Sequence, residues 1–133
     1  MTLRGKLFLD SDNNQYELLI ELKGLPPMAN GSHGSWQRTW AIKKAWKQRV
    51  GYLLMDKAPQ YPYKKIKVRF TRYSSVEPDY DGLVHGFKAV KDALVEYGFA
   101  QNDKISNMES EYRWIKAKAK EGKITIEITP IRT

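Results

Sequence analysis

Hydrophobic residues recur with two different spacings along the chain, and each spacing predicts one kind of element. Apolar and polar residues alternate in Tyr16–Lys23 and in Lys64–Tyr73, which is typical of strands with one buried face. Two later segments, from Met108 to about Lys118 and Ile124–Ile131, show the same alternation. Lys120-Glu-Gly-Lys lies between these last two strands, and it predicts a hairpin turn that pairs them.

Two other segments repeat apolar residues every three or four positions, which predicts amphipathic helices. The first runs from Trp36 to about Met55, and the second from Leu83 to Tyr97, where Gly98 is a natural stop. The order is therefore β-α-β-α-β-β, an α+β fold with a small mixed sheet of about four strands and two helices. The expected buried stripes are Ile42, Trp46, Val50, Leu53 and Leu54 in the first helix, and Leu83, Phe87, Val90, Leu94 and Tyr97 in the second.

Length and composition restrict the class of protein. The 133 residues suit a single domain, residues 1–133, in which residues 1–15 are a polar lead that forms either a tail or an extra edge strand. No run approaches the ~20 apolar residues of a membrane span, and the first residues have no apolar signal-peptide segment. The absence of cysteine fits a cytoplasmic protein and leaves no thiolate metal site.

Positive charge is concentrated in one part of the chain. The net charge is +8, but residues 35–73 contain eleven Lys and Arg against the single acid Asp56, which gives this segment +10 and the remainder −2. A basic surface beside acidic residues is what an enzyme acting on phosphodiesters needs, because Lys and Arg bind the nucleic-acid backbone by releasing counterions. The alternative is a soluble basic protein whose lysines serve no partner.

Several basic and aromatic residues fall on predicted exposed faces. Lys43 and Lys47 lie off the buried stripe of the first helix, and Lys65, Lys67 and Arg69 alternate with the apolar residues of the second strand. We expect both sets to contact DNA, although solvated outer faces would give the same patterns. Trp36 and Trp40 share one helix face, where they either stack on exposed bases or pack in a core or dimer contact.

The most specific chemistry lies between Glu77 and Asp103. Asp79 and Asp81 are one residue apart, and in extended backbone such residues point to the same side. Two carboxylates so placed suit Mg²⁺, which binds a few carboxylates, waters and phosphate oxygens. The polar face of the helix that follows carries His85, Lys88 and Asp92. Lys88 is placed to contact a phosphate, whereas we expect Asp92 to form a salt bridge with a lysine.

This pattern resembles the RusA family of Holliday-junction resolvases (crossover junction endodeoxyribonucleases). The family pattern is D-x-D-N-L, a lysine, D-A-L, a G-[FV] turn and a final Asp. Here it reads Asp79-Tyr80-Asp81-Gly82-Leu83, then Lys88, Asp92-Ala93-Leu94, Gly98-Phe99 and Asp103. The likeness covers nearly the whole chain after residue 15, and Gly82 departs from it because the family has Asn at that position.

The resemblance implies a Mg²⁺-dependent structure-specific endonuclease that resolves Holliday junctions by paired symmetric nicking in DNA recombination and repair. The ion would be held by Asp79, Asp81 and Asp103, with Lys88 stabilising charge on the phosphate. Asn30 matches the family's P-P-x-x-N element and is a candidate DNA contact. Family members are homodimers acting on four-way junctions near the nucleoid, and their genes often lie in prophages.

Spacing suggests that two chains share the metal site. One straight helix from Leu83 to Tyr97 would be about 22 Å long, and the five residues from Gly98 to Asp103 span at most roughly 17 Å. Asp103 would therefore reach its own Asp79 and Asp81 only by folding back almost fully extended. We expect an antiparallel dimer to supply the partner's Asp103 instead.

Two other functions fit the same residues. A DNA-junction-binding protein with impaired cleavage would keep the basic surface, and Gly82 in place of Asn favours it. A Mg²⁺-dependent nuclease for other branched DNA, such as flaps or replication forks, would keep the acids as well. Cleavage in Mg²⁺ separates a nuclease from a binder, and a panel of branched substrates separates the two nucleases.

Overall fold

Four long strands form one mixed sheet, and helices cover one of its faces. The computed structural model describes residues 2–4, 8–9, 15–16, 18–26, 36–55, 57 and 63–131. In chain order the elements are β1 (Thr2–Arg4), β2 (Phe8–Leu9), β3 (Gln15–Tyr16), β4 (Leu18–Lys23), α1 (Trp36–Leu54), β5 (Ile66–Ser74), α2 (Tyr80–Gly86), α3 (Lys88–Glu96), β6 (Met108–Lys116) and β7 (Lys123–Pro130).

The sheet has the order β1-β4-β7-β5-β6. Only the pairing of β5 with β6 is parallel, and the others are antiparallel. The α+β fold class, with four main strands, is confirmed, and the short strand β1 extends the edge of the sheet beside β4. Within the described ranges, no helix is long and apolar enough to cross a membrane.

The predicted hairpin between the last two strands is wrong. β5 lies between β6 and β7 and pairs with both, so the 3₁₀ turn at Ala119–Glu121 carries the chain across the end of β5. The cause lies earlier in the chain, where α2 and α3 form the crossover that returns β6 parallel to β5. The central strand β5 is buried at seven of its nine residues, as expected of a strand flanked on both sides.

The core lies between the helices and one face of the sheet. Strand residues such as Ile20, Phe70 and Ile126 are fully buried there beneath Val50 and Leu54 of α1. The predicted α1 stripe is wrong at one position, because Ile42 is 39% exposed. Its helical neighbours Trp40 and Ala41 are also exposed, so this part of α1 extends beyond the packed interface.

The second predicted helix is broken at Phe87, which separates α2 from α3. The Phe87 ring is 1% exposed and lies 5.0 Å from the ring of Phe70, centroid to centroid. Its backbone (φ −97°, ψ 3°) departs from helical geometry. The predicted stripe is nevertheless buried on both sides of the break at Leu83, Val90 and Leu94. The break redirects the chain while keeping the apolar face on the sheet.

Candidate functional site

Asp79 and Asp81 lie at the start of α2, at the end of the sheet where β5 stops. Asp79 is the N-cap: its Oδ1 accepts a hydrogen bond from the backbone N–H of Gly82 at 3.0 Å. Both aspartates are exposed. The expectation that extended backbone aligns the two side chains is wrong, because Tyr80 and Asp81 already belong to the helix.

Gly82, at the position where the RusA pattern has Asn, is buried in the first turn of α2. Its N–H is satisfied by the Asp79 carboxylate, so the capping function that an Asn could have served is provided by Asp79. A negative charge at this end also interacts favourably with the helix dipole. Asp79 therefore has a structural role in addition to any chemical one.

Lys88 begins α3 and bridges two carboxylates. Its Nζ lies 2.8 Å from Oδ2 of Asp103 and 3.1 Å from Oδ1 of Asp92, which confirms the expected lysine partner of Asp92. The hydrogen bond to Asp103, followed by that to Asp92, raises the pKa of Lys88. The same hydrogen bond from Lys88 lowers the pKa of Asp103. The Lys88 ammonium is therefore fully charged near neutral pH and already holds an anion.

Asp103 reaches Lys88 of its own chain because the chain reverses at the end of α3. Gly98 adopts a positive φ of 88°, and the N–H of Phe99 donates to the carbonyl of Leu94 at 2.8 Å. α3 is nine residues long, about 13 Å, which five residues can retrace. The straight helix that motivated a site shared across a dimer is therefore wrong, and Asp103 meets Lys88 within one chain.

Tyr112 of β6 connects the two halves of the site, although the sequence did not single it out. Its ring stacks on Phe70 at 5.2 Å, and Tyr80, between the two aspartates, meets it edge-on at 6.5 Å. Burial raises the pKa of the Tyr112 phenol, and the charges of Lys88 and Asp103 also act on it. Tyr112 therefore adjoins both the start of α2 and the Lys88–Asp103 pair.

Lysines of α1 face the same polar surface. Lys43 Nζ lies 3.4 Å from Nε2 of His85 on α2, and Lys47 Nζ lies 2.9 Å from Oε2 of Glu96 on α3. The hydrogen bond with Glu96 raises the pKa of Lys47. A groove of about 380 Å³ runs between α1 and α3 and is lined by Lys43, Lys44, Lys47, Lys88, Asp92 and Glu96 among others. Two of the predicted DNA-binding lysines thus adjoin the predicted phosphate contact.

An exposed tryptophan borders this groove, which we call the α1 groove. Trp40 is 57% exposed, and Lys44 Nζ lies 4.8 Å from the centroid of its ring. A cation over an indole face is a favourable but exposed contact. Trp40 is therefore not a core residue, and its exposed ring is available for base stacking or for contact with a second chain.

The strand lysines and Arg69 have different surroundings. Lys67 is exposed, and Lys65 lies 3.5 Å from Glu109 on the neighbouring strand. Arg69, predicted to lie on an exposed DNA-binding face, is 8% exposed and pairs with Glu111 and Glu127 at 3.2 and 3.4 Å. The prediction of an exposed Arg69 is wrong, because a central strand has little room for an unpaired charge. Asn30, the remaining candidate DNA contact, lies outside the described residues.

The acids of the candidate site do not present a full ligand set for Mg²⁺, the ion that the resemblance implies. In the part of the chain that the structure describes, no three His, Cys, Asp or Glu side chains are grouped so as to hold a metal ion. Asp103 is engaged by Lys88, and one oxygen of Asp79 caps α2. Among the described residues, a single chain in this arrangement does not form a complete Mg²⁺ site.

Comparison with known proteins adds no further assignment. The sequence matches no protein-family model, and no curated protein matches it.

Proposed function

We propose that the protein is a Mg²⁺-dependent structure-specific endodeoxyribonuclease that resolves four-way DNA junctions, as the RusA resemblance suggests. The observation that carries the proposal is that Tyr112 adjoins both parts of the candidate site. The ring of Tyr80, between Asp79 and Asp81, meets it edge-on, and the charges of the paired Lys88 and Asp103 act on its phenol. A packing role alone would not require exposed carboxylates and an exposed lysine at this junction of elements.

The ion-paired Lys88 suggests how the chain would respond to DNA. A backbone phosphate that approaches Lys88 competes with Asp103 for the ammonium, because both are anions that seek the same donor. Release of Asp103 would leave its carboxylate available to join Asp79 and Asp81. The α1 groove, with Lys43, would hold the adjacent backbone by charge.

Binding without cleavage is the second candidate. The observation that favours it is the lack, among the described residues, of three grouped metal-binding side chains. A junction-binding protein needs the α1 groove and Lys88 but not the carboxylates. It would shift a four-way junction in gels and leave its strands intact in Mg²⁺.

Cleavage of a labelled synthetic four-way junction, with and without Mg²⁺, tests the nuclease. The parent should make paired symmetric nicks only with the ion, and Asp81→Asn should abolish them. Flaps and forks in the same assay identify the preferred branched substrate. Junction binding with no nicks in Mg²⁺ or Mn²⁺ would establish the binding-only function.

Mixing two inactive variants tests how a proposed homodimer builds its site. If each site uses Asp79, Asp81 and Asp103 of one chain, Asp81→Asn mixed with Asp103→Asn stays inactive. If Asp103 comes from the partner, a mixed dimer contains one intact site and nicks one strand. The Lys88–Asp103 contact within one chain leads us to expect no restored cleavage.

A further inference from the structure

A second basic surface lies at the end of the sheet, outside the α1 groove. It comprises Lys23 at the end of β4 and residues 116–123, which include the 3₁₀ turn. We call it the basic turn. It contributes five lysines (Lys23, Lys116, Lys118, Lys120, Lys123) against Glu21 and Glu121. An open groove of about 910 Å³ is lined by four of these lysines, all but Lys118, and by both glutamates, together with Tyr73 and Ile115.

Four lysines of the basic turn differ from Lys47, Lys65 and Lys88 near the candidate site. Lys47, Lys65 and Lys88 each pair with a carboxylate. Within the described residues, no ion pair involves Lys23, Lys116, Lys118 or Lys120, and all four are exposed. Uncompensated like charges repel one another, so such a cluster raises the local potential and attracts polyanions.

Lys123 has a structural part in this surface. Its Nζ lies 2.6 Å from Oε1 of Glu21 and 4.8 Å from the centroid of the Tyr73 ring. The hydrogen bond to Glu21 raises the pKa of Lys123. Lys123 of β7 therefore contacts both β4, through Glu21, and β5, through Tyr73, and these contacts stabilise the position of the turn. The other four lysines of the basic turn are exposed to solvent.

The basic turn lies at the same end of the sheet as the two aspartates. Lys116 is the direct partner of Ser74 in the parallel pairing, and the N–H of Ala117 donates to the carbonyl of Ser74 at 3.0 Å. Asp79 follows Ser74 by five residues, which span at most roughly 17 Å. Adding about 4.8 Å between neighbouring strands places Lys116 within about 22 Å of Asp79. This span is shorter than one turn of a DNA duplex, about 34 Å.

We propose that the basic turn is a second nucleic-acid-binding surface that holds the phosphate backbone of a duplex arm next to the aspartates. The proposal rests on the DNA-binding part of the proposed function, but not on cleavage. The α1 groove adjoins the end of α2 through Lys43 and His85, whereas the basic turn adjoins the strand that leads into α2. Along the chain, Asp79 and Asp81 lie between Ser74, which adjoins the basic turn, and His85, which adjoins the α1 groove, so the backbone would be held on both sides of the aspartates.

A matched pair of double variants tests this surface. Lys118→Gln/Lys120→Gln removes two charges from the turn, and Lys57→Gln/Lys64→Gln removes two exposed charges elsewhere, with Lys64 preceding β5 at the far end of the sheet. Binding to a labelled four-way junction and to a linear duplex is measured by fluorescence anisotropy in EDTA across a series of salt concentrations. All chains carry Asp81→Asn, and thermal melts show that each remains folded.

The turn variant should reduce the slope of log K against log salt by up to about 1.8, since each phosphate contact contributes about 0.9. The control variant should leave the slope unchanged. Glu121→Gln, which removes an acid from the turn, should strengthen binding, an outcome that partial unfolding would not produce. Equal slopes for the parent and the turn variant would overturn the proposal.

The outcomes also separate this surface from the nuclease function. A chain that cleaves junctions but shows no slope change in the turn variant is a nuclease without this surface. A chain that never cleaves but binds through the turn keeps the surface and loses the nuclease function. If the parent binds neither the four-way junction nor the linear duplex, both the basic-turn proposal and the proposed nuclease function are overturned.

Discussion

Lys88 Nζ lies 2.8 Å from Asp103 Oδ2 in the same chain, although fifteen residues separate them. The contact exists because Gly98 reverses the chain at the end of α3. It places the lysine expected to bind phosphate in contact with the aspartate expected to bind metal, so a bound phosphate would compete with Asp103 for Lys88. DNA affinity and cleavage should therefore respond in opposite directions to loss of the aspartate.

Asp103→Asn should bind a four-way junction more tightly in EDTA, because it frees Lys88 and removes a negative charge near the backbone. The gain should be roughly 1.5- to 5-fold, equivalent to the ~0.2–1 kcal/mol typical of exposed ion pairs. Cleavage in Mg²⁺ should be lost. Anisotropy titrations and gel assays measure the two effects.

Asp92→Asn is the matched control, because Asp92 also contacts Lys88, at 3.1 Å. It should strengthen binding to a similar degree while leaving cleavage intact. Weaker junction binding by Asp103→Asn would contradict the competition between phosphate and Asp103.

The contribution of the Lys88–Asp103 pair to stability should disappear at both extremes of pH. Lys88 lowers the pKa of Asp103, so the aspartate's contribution is present above its unfolded-state pKa and is lost as pH falls through the folded-state pKa. The raised pKa of Lys88 means that its contribution is present below its unfolded-state pKa and is lost as pH rises through the higher folded-state pKa. The ion pair therefore contributes fully to the free energy of unfolding between the unfolded-state pKa of Asp103 and the unfolded-state pKa of Lys88.

Urea unfolding of the parent and Asp103→Asn measures this dependence. The difference in their free energies of unfolding should be constant from about pH 6 to pH 9. It should shrink as the pH falls through the lowered pKa of Asp103. A difference that stays unchanged in strong acid would mean that the aspartate acts through packing rather than charge.

Arg69→Gln should reduce stability rather than DNA binding. The side chains of Arg69 and Glu127 are 10% and 9% exposed, and breaking such a pair by removing one partner typically costs about 3–5 kcal/mol. Since Arg69 does not reach the surface, the salt slope of junction binding should stay unchanged. Urea unfolding and anisotropy titrations measure the two quantities.

Lys67→Gln is the comparison, because Lys67 is exposed on the same strand and was also predicted to bind DNA. The free energy of unfolding of this variant should change little. The slope of log K against log salt for junction binding should fall by about 0.9 if Lys67 contacts a phosphate. A lower slope in a stable Arg69→Gln protein would show that Arg69 binds DNA after all.

Periodicity was enough to predict the type of the main elements and most of the core. The apolar stripe at Leu83, Val90 and Leu94 is buried as predicted, and Gly98 ends the second helical region. Periodicity could not predict the strand order. The alternation in β6 and β7 indicates which face of each strand is buried, but it does not indicate which strand pairs with it. The insertion of β5 between them depends on the crossover through α2 and α3.

The candidate site shows the same division. The residue types and spacing of Asp79, Asp81, Lys88 and Asp103 marked them in the sequence. The break at Phe87 follows Gly86, a residue that weakens a helix, but periodicity alone gave that glycine no weight, because the apolar stripe continues across it. The position of Tyr112 and the contact of Lys43 with His85 depend on how elements distant in sequence pack together. No local sequence pattern predicts them.

Mg²⁺-dependent cleavage of a four-way junction, labelled on each strand in turn, tests the central claim most directly. The account predicts paired nicks at symmetric positions from the parent and from Asp92→Asn, and their loss in Asp81→Asn, Asp103→Asn and Lys88→Gln. Tight junction binding by the parent without nicks in either Mg²⁺ or Mn²⁺ would contradict it.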